Sequence, residues 1–89
     1  MYYNNRMTKT IERTQTGIRV ETRLLKVLEA LAGNLNMTVG DLIEGILLHV
    51  FENKVPFSEG TLKIIAQLRD VHGLDLVAAD SHTLVETEE

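Results

Sequence analysis

Arg13, Gln15 and Arg19 stand at alternate positions of the stretch Arg13-Thr14-Gln15-Thr16-Gly17-Ile18-Arg19-Val20. In an extended backbone successive side chains point to opposite faces, so these three share one face and Thr16, Ile18 and Val20 share the other. An arginine fork can donate to both N7 and O6 of guanine, and a glutamine amide matches the N6 and N7 edge of adenine. Such a polar face suits the base edges of a duplex. The plain alternative is that Arg13 and Arg19 are ordinary solvated charges on a strand. Their setting favours the functional reading.

The chain has 89 residues and a net charge of −4, but the charge is unevenly spread. Arg6, Lys9, Arg13, Arg19, Arg23 and Lys26 all precede Val27, against Glu12 and Glu21, so this part carries six minus two, or plus four. The remainder holds Lys54, Lys63 and Arg69 against eleven carboxylates, or minus eight. Asymmetry of this kind says more about partners than the total does. Arg23 and Lys26 fall early in a helical pattern and are read as phosphate-contacting or solvated charges.

Other chemistries find little support. His49, His72 and His82 lack the spacing of metal ligands, and a site from His72, Asp75, Asp80 and His82 is a remote alternative. Ser81 beside His82 has no third group to orient it, so no catalytic triad and no enzyme is expected. No cofactor is implied. There is no cysteine, which leaves neither a disulfide framework nor a thiolate site. Aromatics are restricted to Tyr2, Tyr3, Phe51 and Phe57, so the core must be aliphatic. No apolar run reaches membrane length, and a cytoplasmic location is expected.

The elements that position the cationic face follow from periodicity. Alternation through Val20 predicts a short strand. From Leu24 the spacing of Leu24, Leu28, Leu31 and Leu35 is that of a helix, with Thr22 as its cap and its end near Asn34 or Leu35. Gly33, Asn34 and Asn36 mark the corner, since Asn tolerates the left-handed conformation. Thr38-Val39-Gly40-Asp41 resembles a capping box with Asp in place of Glu. A second helix carrying Val39, Ile43, Ile46, Leu47, Val50 and Phe51 should run to about Glu52 or Asn53; Gly45 within it marks either a close helix crossing, the favoured reading, or a tolerated weak spot. Pro56 separates a third helix, Glu59 to His72, capped by Ser58 and striped with Leu62, Ile65, Leu68 and Val71. Leu74 to Ala79 reads as a strand or a packing strap, and the acidic end should fray.

Strand, helix, polar corner and helix at this spacing resemble the ribbon-helix-helix (Arc/MetJ-like) family of bacterial DNA-binding proteins. The likeness covers residues 14–51. It rests on Ile18-Arg19-Val20, the Leu24/Leu28/Leu31 stripe, Thr38, and Ile43/Leu47/Phe51. It implies a mainly α fold with one short N-terminal strand, paired with its copy in an intertwined homodimer, plus a C-terminal helix. Residues 1–13 would be a flexible basic arm, 14–53 the dimerisation and DNA-binding domain, and 54–89 a helical extension with an acidic tail. The two-stranded ribbon would enter the major groove, which is wide enough to admit it. The resemblance places Arg13, Gln15, Gly17 and Arg19 towards the bases. It places Arg23, Lys26 and the amides of Thr38 and Val39 towards phosphates, and Ile18, Val20, Leu24, Leu28, Leu31, Ile43, Leu47 and Phe51 in the dimer core. Gly17, at the middle base-reading place, supplies no side chain, and Asn36 stands where the family often has Gly.

Two functions remain open. One is a homodimeric, sequence-specific transcriptional regulator or repressor that binds double-stranded DNA. The other is a protein-binding, antitoxin-like dimer whose residues 54–89 hold a partner. A recognition-helix reader fits less well, because no Lys or Arg lies between Val27 and Asn53. The extension is expected to dock on the helical layer away from the ribbon, keeping its negative charge off the DNA.

Overall fold

The computed structural model describes residues 8–87; Arg6 and the rest of 1–7, at the start of the expected arm, lie outside them, as do Glu88 and Glu89. Three helices of 13 residues each follow one another: α1, Thr22–Asn34; α2, Val39–Phe51; and α3, Glu59–Val71. A single 3₁₀ turn, Ala78–Asp80, follows α3. The chain is mainly α, as expected, and no helix among the described residues is long and apolar enough to cross a membrane.

The expected N-terminal strand and ribbon are absent among the described residues, which corrects the fold expected from the sequence. Residues 8–21 form no helix, strand or turn, and residues 8–20 are exposed along their whole length. Alternation specifies which side chains share a face, but a strand persists only where a neighbour completes its ladder. Nothing elsewhere among the described residues offers an edge. Ile18, the apolar centre of the expected strand, is 74% exposed.

The helix ends follow their local chemistry. Glu21, one residue before the expected cap, closes the start of α1: its carboxylate accepts from the Leu24 amide at 2.8 Å. Thr22 is the first helical residue. At the corner Asn36 takes φ 60°, the left-handed conformation, and Met37 N donates to Ala32 O at 3.0 Å. The Thr38 hydroxyl then accepts from the Asp41 amide at 3.1 Å and opens α2. Ser58 does the same for α3 through Thr61, at 3.2 Å. Asn53, also left-handed at φ 61°, turns the chain out of α2.

Leu31, Ala32 and Leu42 form the buried centre, packed by Leu28 and Leu35 of α1 and its end, Val39 and Ile46 of α2, and Ile64, Ile65 and Leu68 of α3, with Phe57 beneath. Both α2 and α3 pack against α1. The outer two members of the expected α3 stripe, Leu62 and Val71, are exposed, and Ile64 takes their place against the core. Leu74 is buried after the end of α3, so its segment is a strap and not a strand. Gly45 marks no crossing among the described residues, since a Cβ there would meet none of their atoms within 4 Å.

Leu42 is 3% exposed and touches the centre shared by all three helices. Leu42→Ala should therefore cost about 2–5 kcal/mol in urea unfolding followed by circular dichroism. A loss below about 0.5 kcal/mol would show that the three helices do not share this centre.

Candidate nucleic-acid interface

The sequence-predicted cations do not line up on one open face. Each arginine of the described N-terminal segment folds back onto a carboxylate. Arg13 donates to both Glu44 oxygens, at 2.8 and 2.9 Å, and lies 3.7 Å from Asp41. These contacts set it beside Thr38 at the start of α2, in a shallow groove that Glu12, Thr14 and Gly40 also line. Arg19 pairs with Glu86 of the C-terminal tail. Arg23 bridges Glu21 at 2.9 Å and Asp75 at 3.0 Å, and also donates to the Gly73 carbonyl at 3.0 Å.

Among the remaining candidates, Lys9 and Lys26 are exposed and make no ion pair among the described residues. Gln15 and Gly17 lie on the exposed segment, and space around Gly17 is open. Val39 packs on the core while its amide sits in the first turn of α2, where it has no intrahelical acceptor. The structure thus brings Arg13, expected among the base-contacting residues, into one groove with Thr38, expected among the phosphate-contacting ones. Arg19 and Arg23 belong instead to the region where the tail and the turn after α3 return.

Of the expected dimer core, only Leu31 is buried in the single chain, and Leu28 and Ile43 are half-buried. Ile18, Val20, Leu24, Leu47 and Phe51 are exposed. The pattern on α2 is systematic. Val39, Leu42 and Ile46 point inward, whereas Leu47, Leu48 and Phe51 lie on the opposite side, with Leu48 65% and Phe51 77% exposed. An α-helix apolar on both sides is fully buried only between two layers, and the described residues supply one.

The tail sits where it was not expected. Instead of keeping its charge away from the N-terminal segment, it brings Glu86 to Arg19, and Leu84 and Val85 lie beside Val20 and Thr22. The four carboxylates Asp41, Glu44, Asp75 and Glu86 are the functional candidates that sequence reasoning missed. Asp41 and Glu44 carried a signal, because residues three apart share one helix face and can receive a common cation. Asp75 and Glu86 carried none: they meet arginines 52 and 67 positions away.

Compared with known proteins, the chain matches no family model, no curated protein and no solved structure.

The ion pairs leave a titration signature. The Leu24 amide, and after it Arg23, holds the Glu21 carboxyl below its ordinary value of 4.5. The hydrogen bond from Arg13 lowers Glu44 in the same way and pushes Arg13 up. A carboxylate whose pKa is lower folded than unfolded stabilises fully above the unfolded value, and that contribution is lost as pH falls through the folded one. Helicity should therefore decline on acidification below about pH 4.5. Glu21→Gln keeps an oxygen for the Leu24 amide but has no proton to gain, so its ellipticity should fall less steeply between about pH 5 and 3. A slope equal to wild type would remove Glu21 from the account of acid stability.

Proposed function

We propose that this chain is a homodimeric DNA-binding regulator acting in the cytoplasm, with its exposed N-terminal segment as the element that meets the duplex. The observation that carries this reading is the segregation of charge onto a surface segment. Lys9, Arg13, Arg19, Arg23 and Lys26 stand against Glu12 and Glu21 in the described part that precedes Val27, while the rest of the chain is acidic. Backbone phosphates draw such a segment, and base edges reward the donors within it. Arg19 and Gln15 are assigned to bases. Arg23, Lys26 and the amides at Thr38 and Val39 are assigned to phosphates, with Arg13 offsetting the nearby Asp41. Recognition on these terms requires an exposed cationic segment that becomes ordered on the duplex, and no sheet within the chain.

Dimerisation accounts for the apolar outer side of α2. Leu47, Leu48 and Phe51 are exposed together on one side of α2, and clustered surface apolar side chains of this kind mark association surfaces. A second copy presenting the same residues would bury them.

A second reading is favoured by one observation. Val77, Leu84 and Val85 are exposed within the acidic C-terminal part. That mixture fits a protein partner held by residues 54–89, as in an antitoxin-like dimer.

The DNA reading is tested by salt titrations on a duplex enriched from a random pool and on an unselected one. Arg19→Ala should bind the enriched duplex roughly ten-fold or more weakly and relax its base preference. Arg23→Ala should weaken both duplexes alike and flatten the salt dependence by about 0.9 for each phosphate it no longer neutralises. Should wild type bind neither duplex, or Arg19→Ala match wild type on both, the protein-binding reading takes its place.

Dimerisation has its own measurement. Phe51 is 77% exposed in the single chain, so Phe51→Ala should barely change an isolated monomer. In a dimer it should lower the melting temperature, and wild-type melting should depend on concentration. Sedimentation giving a stable monomer at micromolar concentration, with melting independent of dilution, would refute the dimer.

A further inference from the structure

The arginines of the described N-terminal segment are spread over eleven positions, yet each is held by a carboxylate from a different part of the fold. Glu44 and Asp41 on α2 take Arg13, Asp75 after α3 takes Arg23, and Glu86 in the tail takes Arg19. Glu21 holds Arg23 locally as well. Lys9 and Lys26, which flank the arginines, have no ion-pair partner among the described residues. The groups best suited to base and phosphate recognition are therefore occupied in the free chain, while two general-purpose cations are left open.

We propose that Glu44, Asp75 and Glu86, with Asp41 in support, form an internal latch that stands in for duplex phosphate and must be displaced before the arginines can bind DNA. The proposal rests on the DNA reading given above and adds its control. Its chemistry is exchange of one anion for another at the same guanidinium. Ion pairs this exposed are individually weak and screened by salt, so the latch opens reversibly. A duplex carries one charge per ~1.7 Å of its axis and outcompetes isolated carboxylates once Lys9 and Lys26 have brought it near. The counterions released on binding come from the duplex, but each carboxylate freed from the latch takes some cation back up, so the latch also flattens the salt dependence of binding. Arg13 has the shortest path: it already lies at the start of α2 and needs only to trade Glu44 for a phosphate near Thr38.

The test compares three full-length proteins: wild type, the double variant Glu44→Gln/Glu86→Gln, and the charge-matched control Glu29→Gln/Asp70→Asn. Glu29 and Asp70 are exposed and make no side-chain bond or ion pair among the described residues, so the control removes the same charge without touching the latch. Circular dichroism establishes that all three are equally helical. Without DNA, limited trypsin digestion should cut after Arg13 and Arg19 several-fold faster in the Glu44/Glu86 variant than in the other two. On an unselected 30-base-pair duplex followed by fluorescence anisotropy, that variant should bind roughly three- to ten-fold more tightly than the control, with a steeper salt slope. Equal cleavage in the variant and the control overturns the latch, whatever the DNA result. Faster cleavage with equal duplex affinity in both overturns its role in DNA binding. Faster cleavage with no duplex binding by any of the three overturns the DNA reading itself.

Discussion

Leu31, Ala32 and Leu42 are the point at which all three helices meet, and the rest of the structure depends on that meeting. Two of these residues end α1 and the third begins α2, so the polar corner between the helices has to be tight. The left-handed Asn36 and the bond from Met37 to Ala32 make it so, and Thr38 restarts the helix at once. α3 covers the same spot from outside through Ile64, Ile65 and Leu68. The centre is small. Burying a Leu or Phe side chain contributes ~1.5–3 kcal/mol, which leaves the exposed Leu47, Leu48, Phe51 and Ile18 as unused stabilisation of comparable size.

Most of the fold was legible because helix ends are local. Thr38, Ser58 and the Asn-rich corner act within three residues of themselves, and α1, α2 and α3 end within a residue or two of where the sequence places them. Two misreadings have definite causes. The stripe Leu62–Ile65–Leu68–Val71 advances by three residues, and each step falls about 60° short of a full turn of a helix with 3.6 residues per turn. Across three steps Leu62 and Val71 end on opposite sides, so only the middle pair reaches the core and Ile64 completes it. The strand failed for a different reason. A period of two is a property of one segment, whereas a ladder is a property of two.

The candidate site was legible in kind but not in arrangement. Composition along the chain located the cations, and the chemistry of Arg13, Gln15 and Arg19 follows from their side chains alone. What the charge count reported as an acidic remainder proved in part to be a set of partners. Arg13 and Glu44 are 31 positions apart, and no local pattern announces such a pair. The expectation that the extension would keep its charge away from the basic end failed on the same ground. The fold places the tail beside residues 19–22, and opposite charges that close attract.

At the start of α2 two demands on one piece of backbone conflict. Asp41 stabilises the helix by placing negative charge in its first turn, and Glu44 adds a second carboxylate on the same face three residues further on. The same charges repel any phosphate that would use the free amides there. Without Arg13, the helix would be stable and the site closed to anions. With Arg13 bound, the two carboxylates and the guanidinium sum to a single negative charge, still mildly repulsive. In the proposed exchange Arg13 turns from Glu44 to the incoming phosphate and offsets that phosphate's charge, while Glu44, already at the surface, is left to solvent. A movable cation on a segment free of regular structure can serve both states; a cation fixed on a helix would serve one. The lack of secondary structure in residues 8–21 is in that sense what would let one arginine stabilise the free chain and still answer to DNA under the proposed function.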